Sequence, residues 1–340
     1  MSLQRKMLYG FGIAVLAVIA VGVFLPSAAV IERQSAVDAW PATVFVLVDD
    51  TARSAEWSPW IGAAAAAMPR VSGPANGVGA ALAWDGPRPG RRTIIESTPN
   101  ERVVARLELD GVPGTSIVRL ERTDASSTRV RWQLELDLGN DLLARYRALF
   151  RGKALAHDVD SGLAELKTLA ENLPRADFSD LAIERLDVES SPIAYRPVRS
   201  RPDPAAISNA LGKAYFDVLA FVKRHGLSEA GPPLAINRGF SGPELVLDAA
   251  IPVRGMTEAT PPSDDDIHLG YTYAGAVVRA THTGPYRELA RTHRQIAAWL
   301  AAHDIERNGD AWEVYVSDPA RTPDAERTTL IYYPVRSRQP

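Results

Sequence analysis

The sequence predicts an α+β protein in three parts. They are an N-terminal membrane helix, an antiparallel sheet closed by a long helix, and a domain made of a duplicated strand-helix-strand-strand unit. Three observations predict this order. An uncharged apolar run fills residues 7–26. Strand-like segments separated by Gly, Pro and Asn recur up to residue 138, and helical periodicity follows over 141–171. Residues 186–253 and 268–335 then repeat one element order and end on matching tetrapeptides, Ile251-Pro-Val-Arg254 and Tyr333-Pro-Val-Arg336. The resulting boundaries are 1–28, 29–173 and 181–337.

Composition narrows the function classes. At 340 residues the chain is long enough for two domains. A net charge of −3, with no compact Lys/Arg block beyond the N-terminus, argues against a nucleic-acid partner. The absence of cysteine excludes disulfides, thiolate metal sites and a Cys nucleophile. The six histidines never adopt a ligand spacing such as His-x-x-x-His, so no metal is expected. Asp264-Asp-Asp266 lacks the Gly and distant Glu of a calcium loop and reads as a solvated turn. With no phosphate-cradling Gly-rich loop and no Gly-x-Ser-x-Gly elbow, no cofactor is expected either.

Arg5 and Lys6 precede the apolar run, whose length is near the roughly 20 residues that span a bilayer as a helix. Positive charge before the run keeps that end in the cytoplasm and sends everything after Pro26 across. The expectation is a single-pass protein of the cytoplasmic membrane, in contact with the bilayer through residues 7–26, with its soluble domains on the extracytoplasmic side. A cleaved signal peptide competes, because Ser27-Ala28-Ala29 offers small residues to a peptidase. The run is longer than a usual signal core, which favours the retained anchor.

In the first soluble part, residues 29–37 are extended, and a short helix over 42–48 has Asp38 or Thr43 as candidate caps. Trp57-Ser-Pro-Trp60 follows, then strands over 77–84, 91–97, 102–109, 116–122 and 129–138. The last alternates clearly, with Val130, Trp132, Leu134 and Leu136 on one side. The 141–171 helix carries Leu163, Leu166 and Ala170 on one face. This pattern resembles the helix-grip fold of the SRPBCC superfamily, the polyketide-cyclase and START-like proteins. The resemblance is carried by Val37-Asp-Ala-Trp-Pro-Ala-Thr-Val-Phe45, Glu56-Trp-Ser-Pro-Trp60, Ser72-Gly-Pro-Ala-Asn-Gly-Val-Gly79, Glu96-Ser-Thr-Pro-Asn-Glu-Arg102 and Gly162-Leu-Ala-Glu-Leu-Lys167. It implies a curved sheet wrapped on the long helix around a cavity for an apolar ligand. Trp84 and Trp132 line that cavity, while Trp57 and Trp60 either lid it or seal a core corner.

Residues 174–180 form the boundary. The first copy beyond it reads as an extended segment over 186–198, a helix over 205–225 and strands over 233–240 and 244–253. In the helix, Leu211, Tyr215, Val218 and Val222 fall in register. The second copy reads as an extended segment over 268–281, a helix over 287–303 and strands over 312–317 and 327–335. Strand alternation places Glu313 and Tyr315 on one face, with Val314 and Val316 on the other. An enclosed Glu313 needs a cationic or hydrogen-bonding partner, or must hold its proton. A carboxylate walled by aromatic rings suits a flat, cationic or polar organic ligand, so Glu313, Trp312, Tyr315, Tyr333 and Tyr286 form the candidate ligand cluster. Tyr195 and Tyr273 either complete the wall or sit in the core, and an exposed Glu313 on a half-solvated strand is the plainer reading. His282 reads as a loop-bonding histidine, with a catalytic role as its alternative, and His293 and Trp299 read as packing residues of the helix.

Duplicated modules of this kind resemble the GyrI-like effector-binding domain. The residues that carry the resemblance are His282-Thr-Gly-Pro-Tyr286, Trp299-Leu300, Trp312-Glu-Val-Tyr-Val-Ser-Asp-Pro319 and Ile331-Tyr-Tyr-Pro-Val335. It implies a pseudo-twofold pair of modules around a concave groove in which Glu313 contacts ligand. The counterpart of Glu313 in the first copy falls near Ala235, so the duplication supplies a single carboxylate. The family includes drug-sensing ends of transcription regulators, gyrase inhibitors and some hydrolases. Here no DNA-binding helix-turn-helix precedes the domain, which argues against a regulator. The sequence therefore points to a membrane-anchored small-molecule-binding protein. One alternative is a hydrolase of a reactive small molecule with Glu313 as general base. The other is an envelope protein-interaction module.

Overall fold

The computed structural model describes residues 12–13, 16–17, 19–61, 69–124, 126–257, 263–264 and 266–336. They fall into two compact units that divide between Ser179 and Asp180. The expected membrane segment lies partly outside the described residues; its described stretch over 19–24 is helical. Among the described residues one helix, Pro204–Arg224, is long and apolar enough to cross a membrane, but it buries Leu211, Ala214, Val218, Phe221 and Val222 against its own sheet. It is a core helix.

In the first unit, β1 (Ala28–Val37) leads into α1 (Pro41–Asp49) and α2 (Thr51–Trp57). Six strands follow: β2 (Arg70–Ser72), β3 (Ala81–Trp84), β4 (Gly90–Thr98), β5 (Arg102–Leu109), β6 (Val112–Arg122) and β7 (Thr128–Asp137). They form one antiparallel sheet in the order β1-β7-β6-β5-β4-β3-β2, and α3 (Leu142–Glu171) closes it. The long helix after the sheet is the one the periodicity predicts. Asp141 starts it by accepting from the amides of Leu143 and Ala144 at 2.9 and 3.1 Å.

Two local expectations change. Neither Asp38 nor Thr43 caps α1; Trp40 is the cap residue without a side-chain bond, and Pro41 at the first helical position needs no acceptor for an amide. The cap belongs instead to Asp50, which accepts from Ala52 and Arg53 and opens α2. The strand expected over 77–84 shortens to β3. Gly73, Gly77 and Gly79 hold φ of 77°, 74° and 91°, and a Cβ at Gly73 would stand 2.3 Å from the Gly79 carbonyl.

The second unit carries β8 (Ile183–Val188), β9 (Pro192–Ser200), α4 (Pro204–Arg224), β10 (Ser228–Glu229), β11 (Leu234–Ser241) and β12 (Glu244–Arg254). After β13 (Ser263–Asp264) and β14 (Ile267–Tyr271) come β15 (Gly275–Thr283), a 3₁₀ turn over Tyr286–Glu288, α5 (Leu289–Ala302), β16 (Trp312–Tyr315) and β17 (Thr328–Pro334). The sheet order is β13-β14-β9-β12-β11-β16-β17-β15-β8. The repeat is visible in it: β9-β12-β11 and β16-β17-β15 mirror one another across the β11–β16 seam. At that seam Ala235 pairs directly with Glu313.

The leading strands of the two copies are exchanged. β8 precedes β9 but pairs with β15, while β14 precedes β15 but pairs with β9. Strands β8 and β9 stand six places apart, about 29 Å in a flat sheet at about 4.8 Å per step. The link through Glu189, Ser190 and Ser191 reaches about 14 Å. The sheet must therefore curl until its ends meet. Where they meet, the Thr272 amide donates to the Ser191 carbonyl at 2.9 Å and Thr272 Oγ1 accepts from the Ser191 amide at 2.9 Å. The helices α4 and α5 cover the outer face, and the curled inner face buries Ile193, Leu234, Ile236, Val277 and Trp312 on itself.

Candidate functional site

The Glu313 site lies on the helix-covered face, beside the seam between the two copies. Its side chain is 20 % exposed. One oxygen accepts from His293 Nε2 on α5 at 2.7 Å, and the other accepts from the Tyr315 hydroxyl at 2.6 Å. His293 Nδ1 meets the Tyr333 hydroxyl at 2.8 Å. With the carboxylate ionised, one arrangement satisfies all four groups: Tyr333 donates to Nδ1, and the ring donates from Nε2. A second proton on the ring is accommodated too, because the Tyr333 oxygen can accept from Nδ1–H.

Tyrosines wall the carboxylate. Tyr315 meets Tyr286 edge-on at 5.4 Å and Tyr215, from α4, at 6.4 Å. The Tyr215 hydroxyl donates to the Leu234 carbonyl at 3.0 Å. Arg327 lies over the Tyr286 ring at 5.2 Å, and Arg307 over Tyr333 at 5.0 Å. Burial, then the Glu313 charge, pushes the Tyr215 and Tyr315 phenols well above their ordinary range. Burial also raises Tyr286, against the opposing pull of Arg327. Tyr333 is pushed up to about 12 by burial, with Arg307 opposing and Glu313 adding. The wall is therefore neutral, and Glu313 is the acidic side chain set among its hydroxyls.

Four of the sequence-derived residues, Glu313, Tyr315, Tyr333 and Tyr286, come together here. Trp312, Tyr195 and Tyr273 do not. Trp312 neighbours Glu313 in the strand and so points to the other face, where it stacks on Tyr332 at 4.9 Å and meets Tyr273 at 6.2 Å. Tyr195 belongs to that same inner cluster. Trp312 is buried in the core of the curled sheet, and Tyr195 and Tyr273, partly buried, pack against it. Two site residues were missed: His293, read as a packing residue, and Tyr215, placed only in register along its helix. The available signal was a titratable side chain at a core position of an amphipathic helix. His282 is buried and pairs through Nδ1 with Thr292 Oγ1 of α5 at 2.8 Å, so its partner is a helix and not a loop. Trp299 lies against His303 with ring centroids 4.1 Å apart and beneath Arg185.

The first unit brings Trp57, Trp60, Trp84 and Trp132 to one point. Trp57 and Trp132 meet edge-on at 5.3 Å, Trp60 stacks on Trp84 at 6.3 Å, and Trp60 meets Trp132 at 5.7 Å. Their indoles fill the expected ligand space, leaving a cavity of about 20 Å3, enough for a water. Trp60 Nε1 donates to Asp158 at 3.2 Å, and Arg88 pairs with the same carboxylate, fixing the arrangement to α3. A cavity of about 340 Å3 lies elsewhere, beside β8 and lined by Arg185, Asp187, Glu306 and Arg336. Its rim charges are partly paired, as Arg336 with Glu306 at 2.8 Å, and it holds none of the aromatic cluster. Among the described residues no three of His, Asp and Glu converge as a metal would need.

Comparison with known proteins matches a family to part of each unit. Residues 28–171 match the polyketide cyclase / dehydrase and lipid transport family, and residues 244–336 match the GyrI-like small molecule binding domain. An SRPBCC-like domain thus precedes a GyrI-like one. Similar solved structures include the EcmrR C-terminal domain, at 14 % identity over 46 % of this chain and 98 % of that one, with a TM-score of 0.39. A hydrolase from Listeria innocua is similar at 18 % identity over 45 % and 91 %, with a TM-score of 0.34. An uncharacterized conserved protein from Listeria innocua is similar at 18 % identity over 49 % and 95 %, with a TM-score of 0.35. No curated protein matches the chain.

Proposed function

We propose that this chain is a membrane-anchored small-molecule-binding protein whose ligand site is the Glu313 groove, open to a flat organic cation. Both halves match small-molecule families, which supports the general class. The finer reading rests on one observation. A partly exposed carboxylate is held by a histidine and a tyrosine, with no Arg or Lys ion-paired to it among the described residues, beneath a neutral tyrosine wall. An incoming cation gains the carboxylate charge and the ring faces together. The filled tryptophan cavity leaves the first unit as a support for ligand binding unless its indoles move. The apolar run over 7–26 supports anchoring in the cytoplasmic membrane, with both units on the extracytoplasmic side.

The test is a thermal-shift titration of the full chain in detergent micelles with ethidium. Wild type rises in Tm with ligand and Glu313→Gln does not. Equal shifts in both would remove Glu313 from the site.

His293 favours a second reading. It gives Glu313 a titratable neighbour, and Tyr315 and Tyr333 supply hydroxyl donors, so the groove holds the groups of a general acid–base hydrolase. Under that reading a strained or activated ligand is consumed by wild type and persists with Glu313→Gln. Under the binding reading it persists with both.

A further inference from the structure

The outward side of the first three turns of α3 is apolar where a surface helix is normally polar. Its core side carries the buried Arg145, Leu155 and Val159. Opposite stand Leu143 and Phe150, 57 % and 83 % exposed, with Ala154 in line at helical spacing. Leu149, 58 % exposed, stands about 100° round the helix from Phe150, beyond Lys153. Arg147, Arg151 and Lys153 flank the strip, and between Asp141 and Asp158 the helix holds no acidic residue. Arg151 reaches Asp110 at 3.6 Å; Arg147 and Lys153 are exposed. Two turns further on, the same outward side turns polar through His157, Ser161 and Glu165. The apolar strip is confined to one end of a 30-residue helix.

That end is fixed to the exit of the N-terminal helix. The helix ends near Phe24, where the Leu25 amide donates to the Gly22 carbonyl at 3.3 Å and the other terminal carbonyls need partners from outside the helix. Arg145 Nη1 donates to the carbonyls of Gly22, Val23 and Leu25 at 3.4, 3.1 and 3.2 Å, while its Nε holds the Gly139 carbonyl at 2.9 Å. Gly22 leaves room for the side chains of this turn: a Cβ there would stand 3.0 Å from the Tyr146 ring and 3.4 Å from the Leu142 side chain. The point where the apolar run leaves is thus clamped to the first turn of α3. Phe24, 89 % exposed, belongs to the same end.

We propose that residues 142–154 of α3 form a membrane-interfacial collar, with Leu143 and Phe150 in the acyl boundary and Arg147, Arg151 and Lys153 against anionic lipid phosphates. The collar rests on the anchored reading, because the bilayer is the occupant continuous with residues 7–26. Its chemistry is that of interfacial helices, large apolar side chains with basic flanks. The clamp holds the first unit at a set height above the membrane, a constraint that a free tether would not supply.

The chain has no cysteine, so a single introduced thiol is labelled uniquely. Ala154→Cys places an environment-sensitive dye on the strip with Leu143 and Phe150 intact. Ser161→Cys places it on the same side about 10 Å further along. The full chain is reconstituted in nanodiscs of phosphatidylglycerol and phosphatidylcholine and quenched by lipid-borne nitroxide or aqueous iodide. The collar predicts nitroxide quenching at 154 about threefold stronger than at 161. It also predicts that Arg147→Glu with Lys153→Glu abolishes the difference. Equal aqueous quenching at both positions, in a chain that still floats with liposomes after a carbonate wash, overturns the collar and leaves the anchor standing. Failure to float overturns both. Protection at 154 in micelles, with inter-copy spin-label distances, assigns the strip to a second copy and overturns the collar.

Discussion

Replacing Tyr333 by Phe changes the stability of the second unit with opposite signs at neutral and alkaline pH. Near pH 7 the variant loses the hydroxyl that meets His293 Nδ1 at 2.8 Å, a bond with a net value of about 1 kcal/mol. Alkali reverses the order. In the folded protein burial holds the Tyr333 phenol up to about 12, whereas the unfolded phenol ionises near 10. Below pH 10 both states keep the proton and the residue has no linkage effect. Above it the unfolded chain loses the proton first, so folding stability falls at up to about 1.36 kcal/mol per pH unit, reaching about 2.3 kcal/mol at pH 12. Phenylalanine carries no such loss. The two stability curves should therefore cross at about pH 10.7, where the alkaline loss equals the missing bond. Tyr215 and Tyr315, also held neutral, decline equally in both proteins and cancel. The assay is guanidinium denaturation of the full chain in detergent at pH 7 to 11.5, followed by near-UV circular dichroism and compared between wild type and Tyr333→Phe. Parallel curves over that range would refute the buried, neutral tyrosine wall.

Two further outcomes concern the first unit. Trp60→Ala removes a ring stacked on Trp84 and the bond to Asp158, and should cost about 3–5 kcal/mol. It should also open an apolar cavity, so added indole should recover part of the lost Tm in the variant and leave wild type unmoved; no recovery would mean that the core collapses into the space. Gly162→Ala places a methyl 2.8 Å from the Trp132 ring and 2.9 Å from Pro59, and should destabilise by about 1–3 kcal/mol. Gly152→Ala on the same helix meets nothing within 4 Å and should stabilise by up to about 1 kcal/mol. Denaturant midpoints of the pair should move in opposite directions.

Much of this architecture was legible because it is local. Alternation in β7 places Val130, Trp132, Leu134 and Leu136 on the buried side, and Asp141 marks the start of α3. The repeat was legible as a repeat, but its consequence was not. The exchange of β8 and β14 between copies depends on which edge each strand finds, and sequence periodicity carries no such signal. Missing that exchange hid the curled inner face, and Trp312, Tyr195 and Tyr273 were grouped with Glu313 although alternation already separated Trp312 from its neighbour. His293 was hidden for the opposite reason. Its helical spacing equals that of Leu289, Ile296 and Leu300, so periodicity alone assigns it to packing; only the 2.7 Å approach to Glu313 distinguishes it. The tryptophan cluster shows a third limit: the four positions point into one space, yet whether that space is a cavity or a filled core depends on side-chain volume in three dimensions.

The central claim is that Glu313 reads positive charge on a ring-bearing ligand. Isothermal titration of the full chain with a matched pair tests it most directly: a benzyl trimethylammonium probe and its uncharged tert-butyl carbon isostere, each against wild type and Glu313→Gln. The account predicts that wild type binds the cation at least about tenfold tighter than the isostere, a difference of about 1.4 kcal/mol, and that Glu313→Gln erases the preference. Equal affinity of wild type for both probes would contradict it.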